Sequence, residues 1–305
     1  MAKFRVYNIQ LLPVDGETKE VGVSGYRRLF SKFQSYNKSI LREHREGTYH
    51  YRQTEDMFIG PNDFSFGRGY VYGTFIRYRK TDLVTELGTG RHLYTAGVRT
   101  GITGEERLAF VFDTNVHLFA IETPSSMPSS QAFGDALQRM LQPIADENFP
   151  KHDLGIHSVS RPSELQKVFQ SANTYSVVDL DLSFRNGHDT EELLQELKET
   201  RTKNLTVKAS AGKGGRMTHL PEFLKNMLVA ATSGLGSARI SYYVNRKVGN
   251  RLVERQEIYD SRDMPVSFQV NRTEAATKDP DGFFDRIRHK LLKIEDDLEE
   301  EVEGN

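Results

Sequence analysis

The sequence predicts an α+β protein built as two mixed sheet-and-helix domains, residues 1–150 and 151–305. Three observations lead there. Strand-like runs come in groups, with helical segments between the groups rather than after every strand. The helical segments are amphipathic, with apolar residues recurring three and four apart. A polar stretch with Pro and Gly, NFPKHDLG (Asn148–Gly155), interrupts the pattern near mid-chain and is the expected domain boundary.

The elements follow in order. KFRVYNIQLL (Lys3–Leu12) is rich in β-branched and aromatic residues and reads as a strand, closed by the turn VDGE. Gly25–His44 repeats Tyr26, Leu29, Phe30, Phe33, Ile40 and Leu41 near helical spacing, as a basic amphipathic helix. MFIGP, GYVYGTFIRYRK (Gly69–Lys80) and RHLYTAGV read as short strands. RLAFVFDTNVHLFAIET (Arg107–Thr123) reads as a hairpin with DTN at its turn. Ser129–Glu147 is a helix with Ser129 as its cap. Beyond the boundary, RPSELQKVFQSA is a helix and SVVDLDLSF (Ser176–Phe184) a strand. Asp189–Lys203 opens with acids and ends with bases, as the helix dipole favours. LTVKAS is a strand, and Leu220–Ala231 a helix with Pro near its start. Two or three strands follow from Ala238, turning at KVGN, and Asp279–Leu298 is the last amphipathic helix.

Composition narrows the function. The chain has no Cys, which excludes disulfides, thiolate zinc sites and cysteine nucleophiles. The opening MAKFRVYNIQLLP lacks the apolar core of a signal peptide, and no run approaches the ~18 apolar residues of a spanning helix. The expected location is the cytoplasm, with no membrane span. The net charge of −1 hides an asymmetry: Glu295–Glu303 carries seven acids, so the rest is −1 + 7 = +6. Arg201–Arg255 holds eleven bases against Glu222 and Glu254, or +9, and Arg27–Lys80 holds eleven bases against five acids, or +6. A basic body with an acidic tail points to an anionic partner.

No motif names a reaction. SAGKGGR (Ser210–Arg216) resembles a phosphate loop, but Gly214 follows Lys213 where Ser or Thr is required, and Val207 stands where the first Gly belongs. Asp179 and Asp181 would share a strand face, and paired carboxylates can hold magnesium in nucleases, with Lys208 nearby; the companion acid is missing, and a polar strand face explains the pair equally. His152 and His157 lack a second pair of zinc ligands. No catalytic residue, metal site or cofactor is therefore expected. The candidate contacts are basic: Lys208, Lys213, Arg216, Lys225, Arg239, Arg246, Lys247 and Arg251, interleaved with Tyr242 and Tyr243, and Arg27, Arg28 and Lys32 on the first helix. Without a helix-turn-helix or zinc finger, such contacts address the phosphate backbone rather than base sequence.

The strand FRVYNIQLLP, the helix GYRRLF, the hairpin RLAFVFDTNVHLFAIE and the segment FGDALQRML resemble an uncharacterised bacterial family found in phage-defence contexts. The second half, with VVDLDLSF, LTVKAS, a later hairpin and a basic-then-acidic final helix, is similar in organisation to the lambda Rex exclusion sensor family. The resemblance spans nearly the whole chain and rests on apolar patterning. It implies a cytoplasmic, dimeric component that binds DNA or senses phage and acts with a separate effector protein; it carries no catalytic residue. The expectation is thus a non-catalytic nucleic-acid-binding sensor in antiviral defence, with DNA favoured over RNA. The alternatives are a metal-dependent nuclease using Asp179 and Asp181, and a protein-interaction subunit whose acidic tail docks a basic partner.

Overall fold

A computed structural model describes residues 1–14, 18–95, 101–183, 204–212, 214–249, 251–272 and 280–303. The first part runs β1 (Ala2–Pro13), α1 (Gly22–Arg42), α2 (Glu46–Tyr49), β2 (Tyr51–Arg52), β3 (Met57–Phe66), β4 (Tyr70–Thr81), β5 (Leu83–Thr85), β6 (His92–Thr95), β7 (Gly101–Asp113) and β8 (Leu118–Glu122). Next come α3 (Ser130–Asn148), β9 (His152–Ser158), α4 (Pro162–Ser171), β10 (Thr174–Ser183) and β11 (Asn204–Ser210). The chain continues with α5 (Glu222–Ala230), β12 (Gly236–Val248), β13 (Arg251–Asp260), β14 (Ser267–Val270) and α6 (Pro280–Glu303). Helices and several sheets in one chain make this an α+β fold. The helix expected over Asp189–Lys203 lies outside the described residues. Among those described, no helix is long and apolar enough to cross a membrane.

The larger sheet has eight strands in the order β14-β1-β8-β7-β4-β3-β2, with β9 also on β1. β1 is covered on both faces. Phe4 and Val6 meet α6, whose Phe283, Ile287, Leu291, Ile294 and Leu298 form one buried stripe. Tyr7, Ile9 and Leu11 meet α1 and α3. That side holds an aromatic cluster in which Phe110 lies 4.8 Å from Phe64 and 5.4 Å from both Phe75 and Phe119, ring centre to ring centre. The apolar stripe of α1 is as expected except at one end. Leu41 is exposed, and Asn37 sits inside, where its amide donates to the Pro61 carbonyl at 2.8 Å. Ser129 caps α3 as expected, its hydroxyl accepting from the Ala132 N–H at 3.2 Å.

The mid-chain stretch Asn148–Gly155 is not a free linker. It ends α3 and begins β9, which pairs with β1 from Tyr7↔Ser158 to Pro13↔His152. Gln138 of α3 donates to the Leu154 carbonyl at 2.7 Å. β14 also returns to β1, pairing Ala2↔Val270 through Arg5↔Ser267, and α6 covers the same sheet. Segments on both sides of residue 150 therefore build this first layer.

The second sheet runs β11-β10-β12-β13, antiparallel throughout. α4 and α5 pack on one face, where Leu165, Val168, Leu224 and Leu228 meet Val178, Leu180, Ile240 and Tyr242. It joins the first layer through backbone bonds, among them Ser160 N–H to the Thr232 carbonyl at 2.9 Å.

One glycine is fixed by close approach. At Gly73 in β4, beside the irregularity between Pro61 and Phe64 of β3, an added Cβ would stand 1.9 Å from the Asp63 carbonyl oxygen. Gly73→Ala is expected to lower stability by about 1–3 kcal/mol, measured as the urea midpoint. Gly47→Ala, where nothing lies within 4 Å, is the matched control and should change little.

Candidate nucleic-acid interface

Strand alternation sorts the basic residues of the second half. Val178, Leu180, Ile240, Tyr242 and Tyr259 turn to the helices, so their neighbours turn to the opposite face. On that face Asp179 pairs in register with Lys208 on one side and Arg239 on the other, and Arg239 pairs with Asp260. The row therefore alternates in sign across the four strands. Asp181 accepts from the Thr206 hydroxyl at 2.6 Å. Asp260 is held by Arg262 through two bonds of 2.7 and 2.8 Å. Partial burial pushes the Asp260 carboxyl up, but the bonds to Arg262 outweigh it and hold the group below its ordinary value.

The glycine loop before Arg216 is a turn, with the Gly215 N–H bonded to the Gly212 carbonyl at 2.7 Å and Gly214 at φ +77°. The next helix in the chain opens only at Glu222, so the loop does not run directly into a helix N-terminus as a phosphate loop does. Met217 and Tyr175 exchange two backbone bonds of 2.8 Å, which bring Arg216 onto the sheet. Its guanidinium lies 3.8 Å from the Tyr243 ring centre and bonds to Glu254 at 2.6 Å. Lys213 lies outside the described residues.

Past Tyr243, β12 has no partner in β10 and continues with β13 alone as a two-stranded ribbon, from Val244↔Arg255 to Val248↔Arg251. Gly249, at φ +61°, opens its turn, where KVGN predicted one. The ribbon carries Arg246, Lys247, Arg251 and Arg255 against Glu254, so its twelve positions 244–255 sum to 4 − 1 = +3. Lys247 faces the same side as Arg239; Arg246, Arg251 and Arg255 face the other, by parity. Arg246 is engaged by Glu257 at 2.8 Å. Lys247, Arg251 and Arg255 are exposed and have no ion pair among the described residues.

The other expected contacts lie elsewhere. Lys225 is on α5, in the layer behind the sheet, paired with Glu222 at 3.0 Å. Arg27 and Arg28 are on α1 against the first sheet. Arg27 donates to the Gly67 carbonyl at 3.0 Å and lies over Phe66, and Arg28 lies over Phe149. Lys32, on the same helix, is exposed. The structure thus gathers Lys208, Arg216, Arg239, Arg246, Lys247 and Arg251 on the second sheet and its ribbon, and it separates Lys225, Arg27, Arg28 and Lys32 from them. Arg255 and Arg262 belong to the same region, although sequence reasoning did not select them as contacts. Arg255 was visible as part of the basic run; Arg262 comes into place through a turn after β13.

Asp179 and Asp181 share the open face as expected, but Asp179 stands between two bases and Asp181 is held by Thr206. Among the described residues, no three His, Asp or Glu side chains converge as a metal site. No curated protein matches the chain. A family profile described as a domain of unknown function (DUF4747) matches residues 3–288, a span that takes in both sheets and the first turns of α6. The chain belongs to the DUF4747 family.

Proposed function

We propose that the protein is a non-catalytic nucleic-acid-binding component that holds the phosphate backbone, DNA before RNA, on the β12–β13 ribbon and the adjoining open face. The observation that carries this reading is the projecting ribbon, with Lys247 and Arg251 exposed near its tip and without an ion pair among the described residues. Phosphate contacts from such side chains release condensed counterions, so binding weakens steeply with salt. The open face adds Lys208 and Arg239, though its acids offset much of their charge. In the antiviral setting that the resemblance implies, this binding is the sensing step, and the response belongs to a separate effector protein.

The test is binding to labelled duplex and single-stranded DNA over a salt series, with and without magnesium. Lys247→Glu combined with Arg251→Glu is expected to weaken binding at least about tenfold and to lower the salt slope by about one per lost contact. Lys290→Glu on α6, exposed on another layer, should leave affinity unchanged. Equal affinity in all three proteins would refute the reading. Magnesium-dependent cleavage abolished by replacing Asp179 and Asp181 with Ala would put the nuclease in its place.

A further inference from the structure

We propose that the free edge of β13 pairs antiparallel with β13 of a second copy, joining two four-stranded sheets into one of eight. β13 is the last strand of its sheet, and among the described residues no strand lies on its outer side. It is ten residues long, RLVERQEIYD, with no Pro, Gly or Lys and no irregularity in its register with β12. Long edges are normally blunted by Pro, bulges or charged side chains, because their unpaired N–H and C=O groups template another strand; β13 lacks the first two, and its charges, Arg251, Glu254, Arg255, Glu257 and Asp260, are of both signs. Here Leu252 is 73% exposed and Ile258 54%.

The backbone fixes which groups face outward. The Tyr243 carbonyl accepts from the Asn173 N–H at 2.8 Å, so the polar groups of Tyr243 point toward β10. Its partner across the ladder is Gln256, whose N–H and C=O therefore point away from β12. By alternation Leu252, Glu254, Ile258 and Asp260 present theirs to the same free edge.

A two-fold axis through Gln256 gives the complementary register. Gln256 then meets the partner's Gln256, and Glu254 meets the partner's Ile258, as hydrogen-bonded pairs. Arg255 falls opposite the partner's Glu257 in the closer, non-hydrogen-bonded spacing, and this happens twice by symmetry. Arg255 is otherwise without an ion pair among the described residues. Ile258 becomes a diagonal neighbour of the partner's Leu252, within reach of apolar contact. In this register Leu252 lies opposite the partner's Asp260, so each ribbon runs along the body of the partner's sheet and the two basic tips project from opposite ends of the joined sheet.

The 305-residue chain is expected to sediment at twice its 34.8 kDa mass. Gln256→Pro removes only an outward N–H and spares the bonds to β12, so it should give a folded monomer. Arg255→Glu is expected to weaken the dimer about tenfold by setting acids opposite each other, and Arg255→Glu with Glu257→Arg to restore it. The protein has no Cys, so single replacements report the register cleanly. Gln256→Cys places two Cα atoms about 5.5 Å apart across the axis, within disulfide range, and should cross-link on mild oxidation. Ile258→Cys, about 14 Å from its own copy, should not. A monomer throughout the micromolar range overturns the proposal. So does a dimer that Gln256→Cys fails to cross-link, a reading that holds even if Gln256→Pro does not fold. Mass and cross-linking are read without DNA, so loss of nucleic-acid binding leaves this result separate.

Discussion

Replacing Arg288 with Met is expected to cost about 3–5 kcal/mol, the usual loss when one member of a buried ion pair is removed. Asp113 ends β7 fully buried. One carboxylate oxygen accepts from the Asn115 backbone and side-chain amides at 2.9 and 3.0 Å, and the other from Arg288 Nε at 2.7 Å. Arg288 also lies 4.5 Å from the Tyr70 ring centre, and Tyr70 donates its hydroxyl proton to Asp285 on the same helix. These contacts join α6, from the end of the chain, to strands near its start. Met fills most of the volume but leaves the carboxylate buried without its cation. Adding Asp113→Asn to Arg288→Met removes that orphaned charge and should recover a large part of the loss. Urea unfolding of the parent, Arg288→Met and the double variant measures both effects. A loss under about 1 kcal/mol for Arg288→Met would mean that Asp113 is hydrated and that α6 is held by its apolar stripe alone.

Much of this architecture was legible because its signals are local. β1, the buried stripe of α1, the Ser129 cap, the hairpin around Asp113 and the turn at Gly249 each depend on residues a few positions apart. β9 was missed for the opposite reason. Its sequence HDLGIHS has one buried apolar residue, Leu154, and resembles a turn until the edge of β1, more than a hundred residues earlier, supplies its partner. The same limit governs the candidate interface. Counting charge along Arg201–Arg255 gives +9, but a strand sends successive side chains to opposite faces, so Arg246 and Lys247 address different sides. That division was available from the sequence. What was not available is the register that brings Glu254 to Arg216 and Glu257 to Arg246, and these pairings reduce the free positive charge to the ribbon tip and a few positions on the open face.

Acidification is expected to destabilise the protein through His50, by about 3 kcal/mol between neutral pH and pH 4. His50 is 4% exposed. Its ring is fixed by geometry. The Asn37 amide nitrogen is committed to the Pro61 carbonyl, so Asn37 Oδ1 faces His50 Nε2 at 2.9 Å and accepts from it. Nδ1 is then the acceptor for the Tyr78 hydroxyl at 2.9 Å, which makes the buried ring neutral. Burial pushes the His50 pKa down to about 4, against a weaker upward pull from Glu46. Above the ordinary histidine value near 6.5 neither state is protonated, and His50 adds no pH dependence. As pH falls from 6.5 toward 4, the unfolded chain takes up a proton that the folded protein refuses, so stability drops through that window and levels off below it. His157, whose pKa burial also lowers, adds to the same slope. His50→Gln isolates the first contribution. The variant should be less stable at neutral pH, because Tyr78 and Asn37 lose a matched partner, yet it should lose about 2–3 kcal/mol less than the parent on going to about pH 4. Urea unfolding at the two pH values supplies the difference, and the imidazole resonances supply the pKa directly. A His50 ring titrating near 6.5 in the folded protein would show that water reaches Nδ1 and that the Asn37–His50–Tyr78 chain is open.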